Sequence, residues 1–226
     1  MKLANHNYEA VFQFEDASAI EWVIESPVVY RNIVSGLINQ LQGNEGDFIL
    51  SDADKILPIA KSMDLILDLF EIDVNQKKLL NRLYAEMKEV SFSEKYYMET
   101  QEMLSNLKKY FYDMEQEVSY NIHVDDEIDI VQVMKSVGIS IETDSISLLE
   151  NICEYVKIST RLLNIKVFIL CNAQSFLTGD ELKELVTMAS YEECYLLLLE
   201  NHEDSSQVIS KRYIIDKDGC EIFDNE

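Results

Sequence analysis

Two short, unbroken apolar runs in the second half of the chain, VFIL at 167–170 and YLLLL at 195–199, constrain the fold more than any other feature. A strand with one face in water alternates apolar and polar residues, whereas a strand covered on both faces is apolar throughout and belongs to a parallel sheet flanked by helices. The neighbouring stretches fit that arrangement. Leu148, Leu149, Ile152, Tyr155, Val156 and Leu163 recur at three- and four-residue steps and define one apolar helix face. Beyond Phe176 a second helix opens with Thr178 and Glu181, spaced as a capping box in which each side chain satisfies a backbone donor left over at the helix end. Strands are therefore expected over 139–142, 166–172 and 194–200, alternating with helices as in a βαβ arrangement. A closing hairpin is expected where 213–216 and 220–223 flank Asp218 and Gly219.

At the other end Tyr8, Ala10, Phe12 and Phe14 alternate with polar residues, and a second short run ends at Val23 and Ile24, which predicts an N-terminal hairpin. Ser26 and Pro27 then open a helix whose apolar stripe runs through Val29, Ile33, Val34, Leu37, Ile38 and Leu41 to Gly43. Residues 48–58 read as another small hairpin. From 60 to 117 the texture changes: there is no Gly or Pro, and Met63, Ile66, Leu67 and Phe70, then Leu79, Leu80, Leu83 and Met87, recur at helical spacing. Asn75 is expected to cap the second of these helices, and Ser91 or Ser93 to begin a third whose Tyr97, Leu104, Leu107 and Phe111 face inward. The organisation expected is an α/β body with a mainly parallel sheet, residues 1–59 and 118–226, interrupted by a helical segment over 60–117.

Charge and missing motifs exclude several function classes. With 19 Lys and Arg against 42 Asp and Glu, the net charge of -23 disfavours generic coating of nucleic acid. Of the six glycines, Gly36, Gly43, Gly46, Gly138, Gly179 and Gly219, no set has the spacing of a dinucleotide or phosphate loop. The strand VFIL ends at Cys171 and Asn172, where a magnesium-holding NTPase presents an Asp, so no nucleotide is expected. His6, His123 and His202 lie far apart, and no GxSxG or Cys-His signature frames a nucleophile. Cys153, Cys171, Cys194 and Cys220 are scattered, without a zinc spacing, and Cys171 and Cys194 sit in apolar runs as small core residues. The N-terminal MKLANHNYEA lacks an apolar core, and no stretch approaches the roughly 18 apolar residues of a membrane helix. A reduced, soluble, cytoplasmic protein is expected, with no membrane partner.

Two kinds of charged group remain as candidate sites. Lys77, Lys78 and Arg82, then Lys108 and Lys109, then Lys157, Arg161 and Lys166, form basic groups suited either to phosphate contact or to a solvated helix face with pairs such as Lys157 and Glu154. The groups Tyr96-Tyr97 and Tyr110-Phe111-Tyr112 suit core and interface, or base stacking. Asp125, Asp126, Glu127 and Asp129, preceded by Asn121 and His123, offer hard oxygen ligands for calcium or magnesium. The same acids suit the start of a helix running to Gly138, where they favour the helix dipole.

Six segments then carry a family resemblance: KSVGISIETDS (135–145), VFILCNAQSFLTGDEL (167–182), LLLLE (196–200), ESPVVYRNIVSGL (25–37), FILSDADKILP (48–58) and DLFEIDVN (68–75). In this order and spacing, across nearly the whole chain, they resemble the small CRISPR-associated adaptation protein of type II-A systems. The resemblance implies an α/β head shaped like a phosphate-loop ATPase core without its nucleotide motif, with residues 60–117 as an inserted helical leg. It implies a ring-like homotetramer that binds double-stranded DNA by its ends, slides along it and serves spacer acquisition in the bacterial cytoplasm. The adaptation integrase and the RNA-guided effector nuclease would be its partners. Neither nuclease nor ATPase activity belongs to the family.

The resemblance also implies calcium near the junction of head and leg, in the region 120–129 here, with Asn121, Asp125, Asp126 and Glu127 as donors. The chain departs from the family pattern in this region, carrying Asn121 and His123 where relatives have acids, and His is a poor calcium ligand. The family's DNA-contacting lysines do not align one to one, so Lys77, Lys78, Arg82, Lys108, Lys109, Lys157 and Arg161 stand as the candidate phosphate contacts. Four copies of a chain at -23 carry about -92, and a closed ring resolves the conflict by turning basic groups inward and acids outward. At a screening length of about 10 Å the outer acids are then largely hidden from the channel. The competing expectation is an acidic adaptor that docks on the integrase or effector with little DNA affinity of its own.

Overall fold

A computed structural model describes residues 1–14, 18–144, 146–203 and 208–225; Ser145, the last residue of the 135–145 segment, lies outside them. The chain divides into two compact units, Met1–Val74 with Thr143–Glu226, and Asn75–Glu142.

Among the described residues the first unit is built on a six-stranded sheet. Its strands are β3 (Ala19–Ile24), β6 (Met63–Ile66), β7 (Val167–Cys171), β8 (Tyr195–Glu200), β9 (Lys211–Ile215) and β10 (Glu221–Asn225), in the order β10-β9-β3-β8-β7-β6. From β9 to β6 every pair is parallel, and only β10 runs antiparallel. VFIL and YLLLL become the adjacent strands β7 and β8, with Ile169 opposite Leu197, and all of β7 is buried, as expected for runs covered on both faces. α6 (Leu148–Leu163) buries Leu149, Ile152, Tyr155 and Val156, and ends at Asn164 in the left-handed region. α7 (Gly179–Tyr191) starts at the Thr178–Glu181 capping box, and α6 has a second one from Ser147 and Glu150. The β9–β10 turn is the expected Asp-Gly one, with Gly219 at φ +83° and Asp216 Oδ1 accepting from the amides of Asp218 and Cys220.

A smaller antiparallel sheet, β2-β1-β4-β5, is made of β1 (Lys2–Asn5), β2 (Val11–Gln13), β4 (Phe48–Asp52) and β5 (Lys55–Leu57). Its inward residues Leu3, Phe12, Phe48 and Leu50 share one core with Ile20, Trp22 and Ile24 of β3 and with Ile33 and Leu37 of α1 (Pro27–Leu41). The short α2 (Ile59–Ser62) leads into β6.

Several local expectations are corrected. The alternating run 8–14 pairs β2 with β1, and Val23 and Ile24 belong to β3 at the centre of the other sheet, where all six residues are buried. Residues 63–66 are strand rather than helix, because Met63 to Ile66 pair in register with Val167 to Leu170, leaving Leu67 and Phe70 exposed. Residues 139–142 form no strand; the Asn75 carboxamide instead donates to the Ile141 carbonyl (2.9 Å) and accepts from its amide (2.8 Å), and Tyr84 Oη donates to the Ile139 carbonyl. That use of Asn75 leaves Gln76 as the residue that begins the next helix.

The second unit comprises α3 (Lys77–Ser91), α4 (Tyr97–Glu115) and α5 (Ile130–Ser136) among the described residues. Its buried core is small: Tyr84, Ile130 and Met134, with Leu80, Met87 and Leu104 against them. This is too little to cover α4, a further correction: Tyr97 and Phe111, expected inside, are 47% and 43% exposed, and Tyr110 and Tyr112 are exposed with them. Tyr96 rather than a serine precedes this helix, although the Ser93 carbonyl accepts from the amides of Tyr96 and Tyr97.

Candidate nucleic-acid interface

α3 turns Leu79 and Tyr84 inward and leaves Lys77, Lys78 and Arg82 exposed. Two lysines in a first turn oppose the helix dipole, whose N-terminal end is positive, and no acidic residue in that turn compensates. This arrangement concentrates positive potential at the start of α3, a feature that attracts phosphate. Lys77 and Lys78 have no ion-pair partner among the described residues.

The other basic candidates differ in how they are held. On α4, Lys108 Nζ donates to the Asp126 carbonyl at 2.6 Å and lies 3.6 Å from its carboxylate, while Lys109 is exposed beside it. Lys157 and Arg161 lie one helical turn apart on α6, in the other unit. Arg161 is engaged by Glu192 in a two-pronged pair, Nε to Oε2 at 3.0 Å and Nη2 to Oε1 at 2.8 Å, and Lys157 is exposed and unpaired among the described residues. Two further cations escaped the sequence reading because they stand singly: Lys95, 4.6 Å from the Tyr96 ring centre, and Lys135, 5.7 Å from that of Tyr84. The unit Asn75–Glu142 carries eight Lys and Arg against 13 Asp and Glu, the remainder 11 against 29, so the small unit is the less acidic.

Asn121, Asp125, Asp126 and Glu127 are all exposed. Asp126 is held by Lys108, Asp125 lies 3.4 Å from His123 Nε2, and Asp129 accepts from the Val131 amide as the cap of α5. Among the described residues no group of three or more His, Cys, Asp or Glu is placed to hold a metal ion.

At the ends of the central strands, β3 passes to α1 through Glu25 and Ser26, with Pro27, which lacks an N–H, at the first helical position. β7 ends at Cys171, whose thiol is pushed up to about 11 by burial, and burial likewise pushes the neighbouring Tyr30 phenol far above its ordinary value. Burial thus favours the neutral form of both groups at physiological pH. No helix of the described residues is long and apolar enough to cross a membrane.

The family model for CRISPR-associated protein Csn2 matches residues 40–219 of this chain. A relative in Streptococcus agalactiae named CRISPR-associated protein Csn2 is 28% identical over 210 residues, 89% of each chain, and one of the same name in Enterococcus faecalis is 28% identical over 189 residues, 80% of this chain and 81% of the other. These matches place the chain among CRISPR-associated proteins. It belongs to the Csn2 family.

Proposed function

We propose that this protein binds double-stranded DNA, by its ends and without regard to sequence, as a non-catalytic homotetrameric ring in spacer acquisition, alongside the adaptation integrase and the RNA-guided effector nuclease. The reading rests on family membership together with one observation: Lys77 and Lys78, without an ion-pair partner among the described residues, stand at the positive end of α3 in the less acidic of the two units. The parallel sheet with β3 at its centre, and a β3–α1 connection without glycine, also agree with an ATPase-like head that lacks a nucleotide site. Phosphate contacts from such lysines fix position on the backbone and carry no sequence information.

The test is Lys77→Glu with Lys78→Glu, titrated on linear and closed circular duplexes across a salt series, with native mass spectrometry for the assembly. Binding should weaken alike for all sequences, linear DNA should be preferred, and the salt slope should fall by about 0.9 for each phosphate that is no longer neutralised. An unchanged slope removes α3 from the interface. The acidic adaptor is favoured by a different observation, the exposed Met98, Met103, Tyr110 and Met114 on α4. It predicts that neither DNA form binds while the integrase or effector is still captured.

A further inference from the structure

An open cleft of about 320 Å³ in the first unit, apart from the basic groups and the acidic turn described above, is lined mainly by polar side chains. Its walls are Asn32 and Asn39 on α1, Asn5 and Tyr8 around the β1–β2 turn, and Glu45 and Asp47 on the α1–β4 loop; Ile33 and Phe48 supply an apolar base. The volume is that of a small-molecule pocket. Several of its polar groups are held by hydrogen bonds before any ligand arrives. Gln40 fixes the loop by donating to the Phe48 carbonyl at 2.6 Å and accepting from its amide at 3.1 Å, and Asn44 donates to both oxygens of Asn39. Asn7 donates to Asp47 at 2.8 Å, and Asn5 Oδ1 accepts from the Asn7 amide. Tyr8 packs edge-on against the buried Trp22.

The lining is one-sided in charge: two carboxylates, four carboxamides and a phenol, with no Lys, Arg or His. Burial raises the pKa of Tyr8, and Glu221 and then Asp47 raise it further, the effect of a negative field at the cleft wall. Phosphates and other anions are repelled, and neutral polyols would cover the carboxylates without neutralising them. Gly36 supplies a second, independent observation. It lies in the interior of α1, where glycine is the least favourable residue short of proline, yet an added Cβ would meet nothing nearer than the Phe48 ring at 4.0 Å. Nothing in the fold requires glycine there, and its missing side chain keeps the cleft open.

We infer that this cleft binds a small aliphatic di- or polyamine, its ammonium groups on Glu45, Asp47 and the carboxamide oxygens and its methylenes on Ile33 and Phe48. An ammonium brings three donors and no acceptor, which suits walls rich in oxygens. The inference is independent of the DNA reading and survives its failure.

The experiment is calorimetric titration of the full chain with putrescine, using glucose and inorganic phosphate as competing chemistries. Putrescine should bind saturably at one site per chain. Glu45→Gln with Asp47→Asn should weaken it at least tenfold, whereas Glu99→Gln with Glu102→Gln, the same change in net charge on α4, should leave it unaltered. Gly36→Leu should abolish binding, and Gly36→Ala should raise the melting temperature. Equal weakening by the α4 control would reduce the effect to the general field of an acidic protein and overturn the site. Saturable binding of glucose in preference to putrescine, or no saturable binding at all, overturns it as well.

Discussion

Replacing Arg212 with methionine should unbalance the most deeply buried charge pair described in the protein. Glu21 and Arg212 are register partners on β3 and β9; the Glu21 side chain is 0% exposed and that of Arg212 12%, and Arg212 Nε donates to Glu21 Oε2 at 2.7 Å. Gln174 Nε2 donates to the other oxygen at 2.9 Å, and Arg212 Nη1 reaches Glu203 at 3.0 Å. The methionine keeps most of the aliphatic bulk and leaves a carboxylate in the sheet core without its cation, a loss of about 3–5 kcal/mol. At about 2–4 °C per kcal/mol for a protein of this size, the melting temperature should fall by about 6–20 °C. Glu21→Gln added to Arg212→Met removes the stranded charge while keeping an oxygen for Gln174, so the double variant should regain most of the loss. The single tryptophan, Trp22, follows Glu21 on β3 and is fully buried, so its fluorescence in a urea titration reports on this unit. Salt should have little effect on the difference, because a buried pair is poorly screened. An Arg212→Met loss below about 1 kcal/mol, or a double variant no more stable than the single, would refute the account of the pair as a charge held by its partner.

Asn75→Ala leaves both the amide and the carbonyl of Ile141 without the partner now bonding them, and should cost about 1–3 kcal/mol, seen as faster hydrogen exchange at the Ile141 amide. Unchanged exchange there would mean that the carboxamide does not hold this segment. The carboxyl of Glu150 is held below its ordinary value of 4.5 by the amides of Ile146 and Ser147, and that of Glu181 by the amide and hydroxyl of Thr178. A pKa lowered in the folded state gives stability that is complete above the unfolded value and lost as pH falls through the folded one. The wild type should therefore lose more stability than Glu150→Gln with Glu181→Gln on acidification below about pH 4.5, with a constant difference above it; parallel curves throughout would dismiss the two caps as pH-dependent elements.

Local signals were legible and long-range pairings were not. The double-sided burial of β7 and β8, both flanking helices and the Asp-Gly turn could be read because each depends on residues within one short window. β3 was read as half of a hairpin because its true neighbours, β8 and β9, lie more than 170 residues downstream, and its run is broken by Glu21, whose partner Arg212 is equally remote. β6 has four residues, too few to separate a period of 2 from one of 3.6, and its identity is decided by pairing with β7. The β-branched sequence at 139–142 favours an extended chain, but a side-chain carboxamide rather than a strand satisfies it. In the candidate interface the lysine clusters were visible, whereas the neutralising contacts, Lys108 with Asp126 and Arg161 with Glu192, cross 18 and 31 residues. The cleft left one trace, Asn32, Gly36 and Asn39 at helical steps along α1, beside the buried Ile33 and Leu37.

Those neutralising ion pairs also bound how a chain at -23 can hold DNA. A cation already bonded to a carboxylate releases no counterion when it meets a phosphate unless that bond breaks first, so under the proposed DNA reading Lys108 and Arg161 should contribute weakly to affinity. Lys77, Lys78, Lys109 and Lys157 remain as exposed lysines without an ion-pair partner among the described residues. Four neutralised phosphates per chain correspond to a salt slope of about 3.6, modest for a DNA-binding protein. Binding through so few lysines per chain, against 29 acids in the larger unit, gains from repetition. Several copies on one duplex multiply weak interactions through effective concentration, whereas a lone subunit would be released at physiological salt. The charge distribution thus makes assembly a physical requirement of the DNA reading: conditions that hold the chain monomeric should abolish DNA binding even with every lysine in place.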